Sequence, residues 1–213
     1  MDTGWQIKKL HRLIVNSATY RQSSRISPEL YARDPYNRLL ARAPRFRLPA
    51  WMLRDGALRS SGLLNAAVGG PPVRPHQPAG VWEEIFMGRF TYEPSEGAAQ
   101  HRRSLYAFWR RSIAPTFLFD TAQRRVCEVR TPRTNTPLQA LVTMNDPVYI
   151  EAAQALARRL TGNGGVTDAE KARYAFRLVL ARPPSESELT MLVKLHDDAR
   201  TLTAADWIHR NLA

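Results

Sequence analysis

Four helix starts in the last third of the chain carry their own caps, and they constrain the fold more than any other feature. Thr136-Pro137-Leu138-Gln139, Thr167-x-x-Glu170 and Ser185-x-x-Glu188 match the capping box. In that device a hydroxyl and a side chain three residues later satisfy each other's backbone N–H groups. Asp146-Pro147 adds a capping carboxylate before a proline at the first helical position. Helices are therefore expected over 137–144, 147–160, 168–181 and 186–200, with a further one over 204–212, joined into helical hairpins.

The other end of the chain is helical by periodicity. Ile7, Leu10, Leu13 and Ile14 recur near a 3.6-residue period with Lys8, Lys9 and Arg12 turned away, which predicts a helix over about 4–18. Ser27-Pro28-Glu29 and Asp34-Pro35 read as two more starts, the second carrying Leu39-Leu40 into the core. Pro49 opens a longer helix through Trp51, Met52, Asp55 and Leu58, and Gly62 stops it. Between 63 and 102 the periodicity dissolves among prolines and glycines. Trp82, Phe86, Phe90 and Tyr92 argue against disorder there, so the loop is expected to pack on something. Segment 104–111 reads as either a strand or a buried helix turn, with aromatic enrichment and brevity favouring the extended form there and at 126–129, which leaves room for a minor β-ribbon. The fold class is mostly α. One domain is expected over 1–213, with N-terminal helices in 1–62, the long loop and ribbon in 63–135, and hairpins in 136–213.

A net charge of +12 comes from 27 Arg and 4 Lys against 19 acidic residues, and 22 of the basic residues lie in 1–149. Such asymmetry fits an anionic partner, but many of these arginines would serve equally well as surface cover. Segment 102–111 interleaves arginines with Tyr106, Phe108 and Trp109, the ingredients of a base-stacking platform. No nucleic-acid motif accompanies it, which argues against nucleic acid as the partner. No run of 18 apolar residues occurs, so no membrane-spanning helix is expected. The single Cys127 excludes an internal disulfide and a Cys-x-x-Cys-His haem attachment, and reads as a small buried side chain. The five histidines show no metal-binding spacing; His76 and His101, flanking the long loop, are the pair to watch.

Two groups of residues are candidate sites. Arg130, Arg133, Thr136 and Gln139 surround a helix start, where paired arginines would bind sulfate, carboxylate or phosphate. The competing reading is that Thr136 and Gln139 simply cap the helix, and it explains more of the motif. Trp82 with Glu83 would offer a ring and a carboxylate to a carbohydrate. No catalytic residue is assigned, because nucleophile elbow, phosphate loop and dinucleotide fingerprint are all missing.

Six stretches carry a resemblance to a known family. They are Gly-Trp-Gln-Ile-Lys-Lys-Leu-His-Arg-Leu-Ile-Val-Asn-Ser-Ala-Thr-Tyr-Arg-Gln-Ser-Ser (4–24), Asn-Arg-Leu-Leu-Ala-Arg (37–42) and Gly-Gly-Pro-Pro-Val (69–73). Arg-Arg-Ser-Leu-Tyr (102–106), Arg-Thr-Asn-Thr-Pro-Leu-Gln-Ala-Leu (133–141) and Asn-Asp-Pro (145–147) follow in order. Together they resemble the planctomycete-specific domain known as domain of unknown function 1553. The resemblance implies a C-terminal piece of a large exported protein with a signal sequence, a second planctomycete domain and often a cytochrome c-like domain upstream. It therefore implies a periplasmic or cell-envelope location. No cofactor is expected in this chain, and any haem would belong to the upstream domains. The leading expectation is a non-catalytic helical module that docks those upstream domains or redox partner proteins. The alternative, from another class, is an enzyme or binding domain for anionic, sulfated polysaccharide.

Overall fold

The computed structural model describes residues 4–110, 112–120, 129 and 133–201. Eight α-helices and two 3₁₀ turns make up the regular structure among these residues, and the molecule is mostly α. Its contacts divide it into two compact units, 1–47 and 48–213, where the sequence suggested one domain. The division falls in the segment between Pro44 and Pro49, which holds no helix.

In the first unit, α1 spans Ile7–Asn16 and α2 spans Pro28–Arg33. Ser27 caps α2 as expected, its Oγ accepting from the Leu30 N–H at 3.2 Å. Asp34-Pro35 does not open a helix. The Asp34 carboxylate instead accepts from the Arg38 and Leu39 N–H groups at 2.9 and 2.8 Å, while Arg42 donates back to the Asp34 and Pro35 carbonyls. This closes a turn, and a side chain that bonds nearby backbone competes with helix propagation. Leu39 and Leu40 are left exposed rather than carried into a core.

The second unit contains α3 (Ala50–Ser61), α4 (Val81–Ile85), α5 (Pro137–Asn145), α6 (Pro147–Asn163), α7 (Asp168–Leu180) and α8 (Glu186–Thr201). All four expected caps are realised, at α5, α6 and α7 and at the start of α8, where Ser185 and Glu188 exchange the two bonds of a capping box. Gly62 ends α3 at φ 87°, a conformation that favours glycine. Residues 204–212 lie outside the described residues. α3 packs along α6; Leu58 on the first and Ala152 and Ala155 on the second are buried, and the alanines are small enough to allow close helix approach. Arg159 on α6 donates to the Ser60 carbonyl at 2.8 Å. α6, α7 and α8 then form the antiparallel run of hairpins.

The long loop follows a definite path. Trp82 is 1% exposed and stacks on Tyr92, Phe86 and Phe108, with centroids 4.8, 5.6 and 5.9 Å away, while Phe90 closes in at 5.2 Å. The indole N–H donates to Gln77 at 2.8 Å, and the Tyr92 hydroxyl donates to the Pro75 carbonyl. The loop thus builds a small aromatic core of its own. Residues 104–106 form a 3₁₀ turn rather than the expected strand, with isolated bridges at Val73–Ala107, Asn65–Arg102 and Arg110–Ile113. Three-quarters of the extended 126–129 segment falls outside the described residues, so no ribbon pairing is defined there.

Candidate functional site

Trp82 and Glu83 stand side by side on α4, but the Trp82 ring is covered by its aromatic neighbours and offers no face to a sugar. Glu83 is half-buried, and its carbonyl accepts from the Gly88 N–H. The adjacency seen in the sequence therefore belongs to the loop's core. The same holds for the platform in 102–111. Arg110 lies over Phe86 and Phe90 at 5.1 and 5.2 Å, and Arg102 lies over Tyr106 at 3.9 Å.

At the start of α5 the capping box is formed in full. Gln139 N–H reaches Thr136 Oγ1 at 3.4 Å, and the Gln139 side chain accepts from the Thr136 N–H at 3.2 Å. A carboxylate already sits beside this helix start. Asp120 accepts from the Thr134 N–H at 2.8 Å, from its hydroxyl at 2.6 Å, and from the Gln139 amide at 3.3 Å. Asp120 thus takes the donors that an incoming sulfate would need. Arg133 is exposed, and Arg130 lies outside the described residues. Immediately beyond, buried Asp146 caps α6 through the Val148 N–H at 3.0 Å and accepts from the Thr116 hydroxyl.

Two arginines are buried in the second unit: Arg54, which the sequence did not single out, and Arg102 of the 102–111 platform. Arg54, 1% exposed, donates to the Arg102 carbonyl at 2.8 Å, to the Gln100 carbonyl and to Ser104 Oγ at 3.2 Å, and it covers the Phe117 ring. Burial pulls its pKa down, opposed by the neighbouring Asp55 carboxylate. Arg102 donates to the carbonyls of Pro71 (2.8 Å), Ala67 and Gly69. Guanidinium groups, with five donors in a planar fork, suit this collection of carbonyls.

Beside Arg54 opens a cleft of about 460 Å³ lined by Trp51, Asp55, Arg103, Ser104, Leu105, Trp109 and Leu118. Asp55 Oδ1 accepts from the Ser104 N–H at 2.8 Å and from its hydroxyl at 2.7 Å, which fixes the carboxylate. Arg103 lies in the same cleft, and among the described residues it forms no ion pair with Asp55 and its buried Nε has no hydrogen-bond partner. The only sequence signal for this place was the spacing of Trp51 and Asp55, four residues apart on one face of α3. Elsewhere, His101 Nε2 lies 3.0 Å from Glu151, while half-buried His76 takes no part. Among the described residues no three His, Cys, Asp or Glu side chains are placed to hold a metal ion. A covalently attached haem would need two cysteines where the chain has one, so its residues do not fit that group.

A mostly helical scaffold with a long arginine-tied loop is the fold that the resemblance had to meet. The family model described as PSD1, protein of unknown function (DUF1553), matches residues 1–196, and the chain belongs to that family. No curated protein and no solved structure matches the chain. No helix among the described residues is long and apolar enough to cross a membrane.

Proposed function

We propose that the chain is a non-catalytic helical docking module of an exported, envelope-located multidomain protein, bound through its first unit to the neighbouring domains of that protein or to redox partner proteins. The observation that carries this reading is α1. Its apolar residues Ile7, Leu10, Leu13 and Ile14 are 64%, 55%, 71% and 45% exposed, and the helix has no buried residue. An amphipathic helix in water gains most of its stability from packing its apolar face, so a face left open at this scale suits a protein partner. Trp5, Tyr20, Tyr31 and Tyr36, all exposed in the same unit, extend the apolar surface with residue types enriched at interfaces.

The test mixes the full chain with the separately produced second planctomycete domain, and with the cytochrome c-like domain, and follows complex formation by size exclusion. A stoichiometric complex is expected with one of them, lost in Leu10→Asp/Leu13→Asp. Failure of both domains to bind refutes the reading. Binding that survives the double substitution refutes the role of α1.

A further inference from the structure

We propose that the cleft between α3 and the 103–109 segment binds a pyranose unit of a saccharide. The proposal goes beyond the docking reading and uses none of its residues. Two indoles, Trp51 and Trp109, line the cleft together with Leu105 and Leu118, so most of the wall is apolar. Its volume of about 460 Å³ falls in the range of small-ligand sites. Into this apolar wall are set one carboxylate and one guanidinium that, among the described residues, do not pair with each other.

Asp55 selects the ligand. It has Oδ1 occupied by Ser104, while Oδ2 accepts no hydrogen bond among the described residues. The side chain keeps 22% of its surface accessible. Arg103 Nε has no acceptor among the described residues but is itself buried, so the ligand is not required to meet it. A ligand is needed that donates once to Asp55 and lays an apolar face on an indole. A pyranose ring meets both conditions, since a hydroxyl supplies the donor while its C–H face stacks. A purely apolar anchor from a peptide would bury Asp55 Oδ2 unpaired, which is unfavourable. An ammonium brings three donors to a carboxylate with one oxygen left, so an amino-acid zwitterion fits less well. Asp55 is held in place before any ligand arrives, which lowers the ordering cost of binding.

The experiment titrates the full chain with cellotetraose and, separately, tetragalacturonic acid, following the indole N–H resonances by NMR. Glycyl-tryptophan serves as the peptide probe. Saturable shifts are expected at Trp51 and Trp109 with at least one saccharide, while Trp82, packed in the loop's core, stays put. Asp55→Asn and Trp51→Ala are each expected to weaken that binding about tenfold, the size of one charged hydrogen bond or one stacked ring. Response to the neutral tetramer identifies a plain glycan, and response to the uronate alone identifies an acidic one. No shift with either saccharide, or a shift with glycyl-tryptophan only, overturns the proposal. So do saccharide shifts unchanged in both variants. Should a variant fail to fold, the wild-type indole map decides alone.

Discussion

Arg54 illustrates how much of this structure depends on single side chains. Its fork ties α3 to carbonyls as far as 48 residues away, and replacing it with Met would leave those acceptors buried and unpaired. Arg54→Met is expected to cost about 3 kcal/mol in chemical denaturation, and Arg54→Lys to recover little, because one ammonium cannot span the same acceptors. Glu188 makes a pH-dependent case. Hydrogen bonds from Arg182, foremost, and from the Ser185 N–H hold its pKa down at about 2, against an ordinary value of 4.5. A carboxylate depressed on folding stabilises above its unfolded pKa, and that contribution fades as pH falls from 4.5 towards 2. Melting temperature measured across that window is expected to drop more steeply in wild type than in Glu188→Gln.

At the scale of elements, the helices of the last third were readable because each start carries a local chemical instruction. Thr136, Thr167, Ser185 and Asp146 bond within three residues of themselves, so no knowledge of the tertiary fold was needed. Thr136→Ala is expected to cost about 1 kcal/mol. With Asp120 already beside that helix, sulfate at constant ionic strength is expected to raise the melting temperature no more than a matched control, in wild type and Arg133→Ala alike. A sulfate-specific rise lost in Arg133→Ala would restore the anion site. The loop was legible only in outline. Its aromatic residues announced packing, but their partner turned out to be one another, and the guanidinium ties that fix its path are long-range contacts with no local pattern. The same limit hid the Trp51–Asp55 cleft, whose other wall arrives some fifty residues later. Asp34-Pro35 failed for the opposite reason. Its local instruction was ambiguous, and the carboxylate closed a turn rather than capping a helix.

At the scale of the molecule, the two units differ in what they bury. Among the described residues of 1–47 only Asp34 is buried, whereas 48–213 encloses Leu58, Trp82, Phe117, Val148 and Leu189. A chain of residues 48–213 is expected to unfold cooperatively on its own, with a sharp thermal transition by circular dichroism. Residues 1–47 alone are expected to show none, since a segment of that size without a core cannot offset its conformational entropy. A sharp transition in the short piece would contradict this division.

The arginine ties also bear on how freely the loop can change its sequence. Arg54 and Arg102 bond main-chain oxygens, the one chemical feature every amino acid supplies. Ala67, Pro71 and Gln100 are held by their carbonyls. Substitution at those three positions leaves the tie intact, while substitution of either arginine removes several ties together. A library randomised at Ala67, Pro71 and Gln100 should therefore keep far more folded members than one randomised at Arg54 and Arg102. Drift is permitted where the loop is gripped and forbidden where the grip originates.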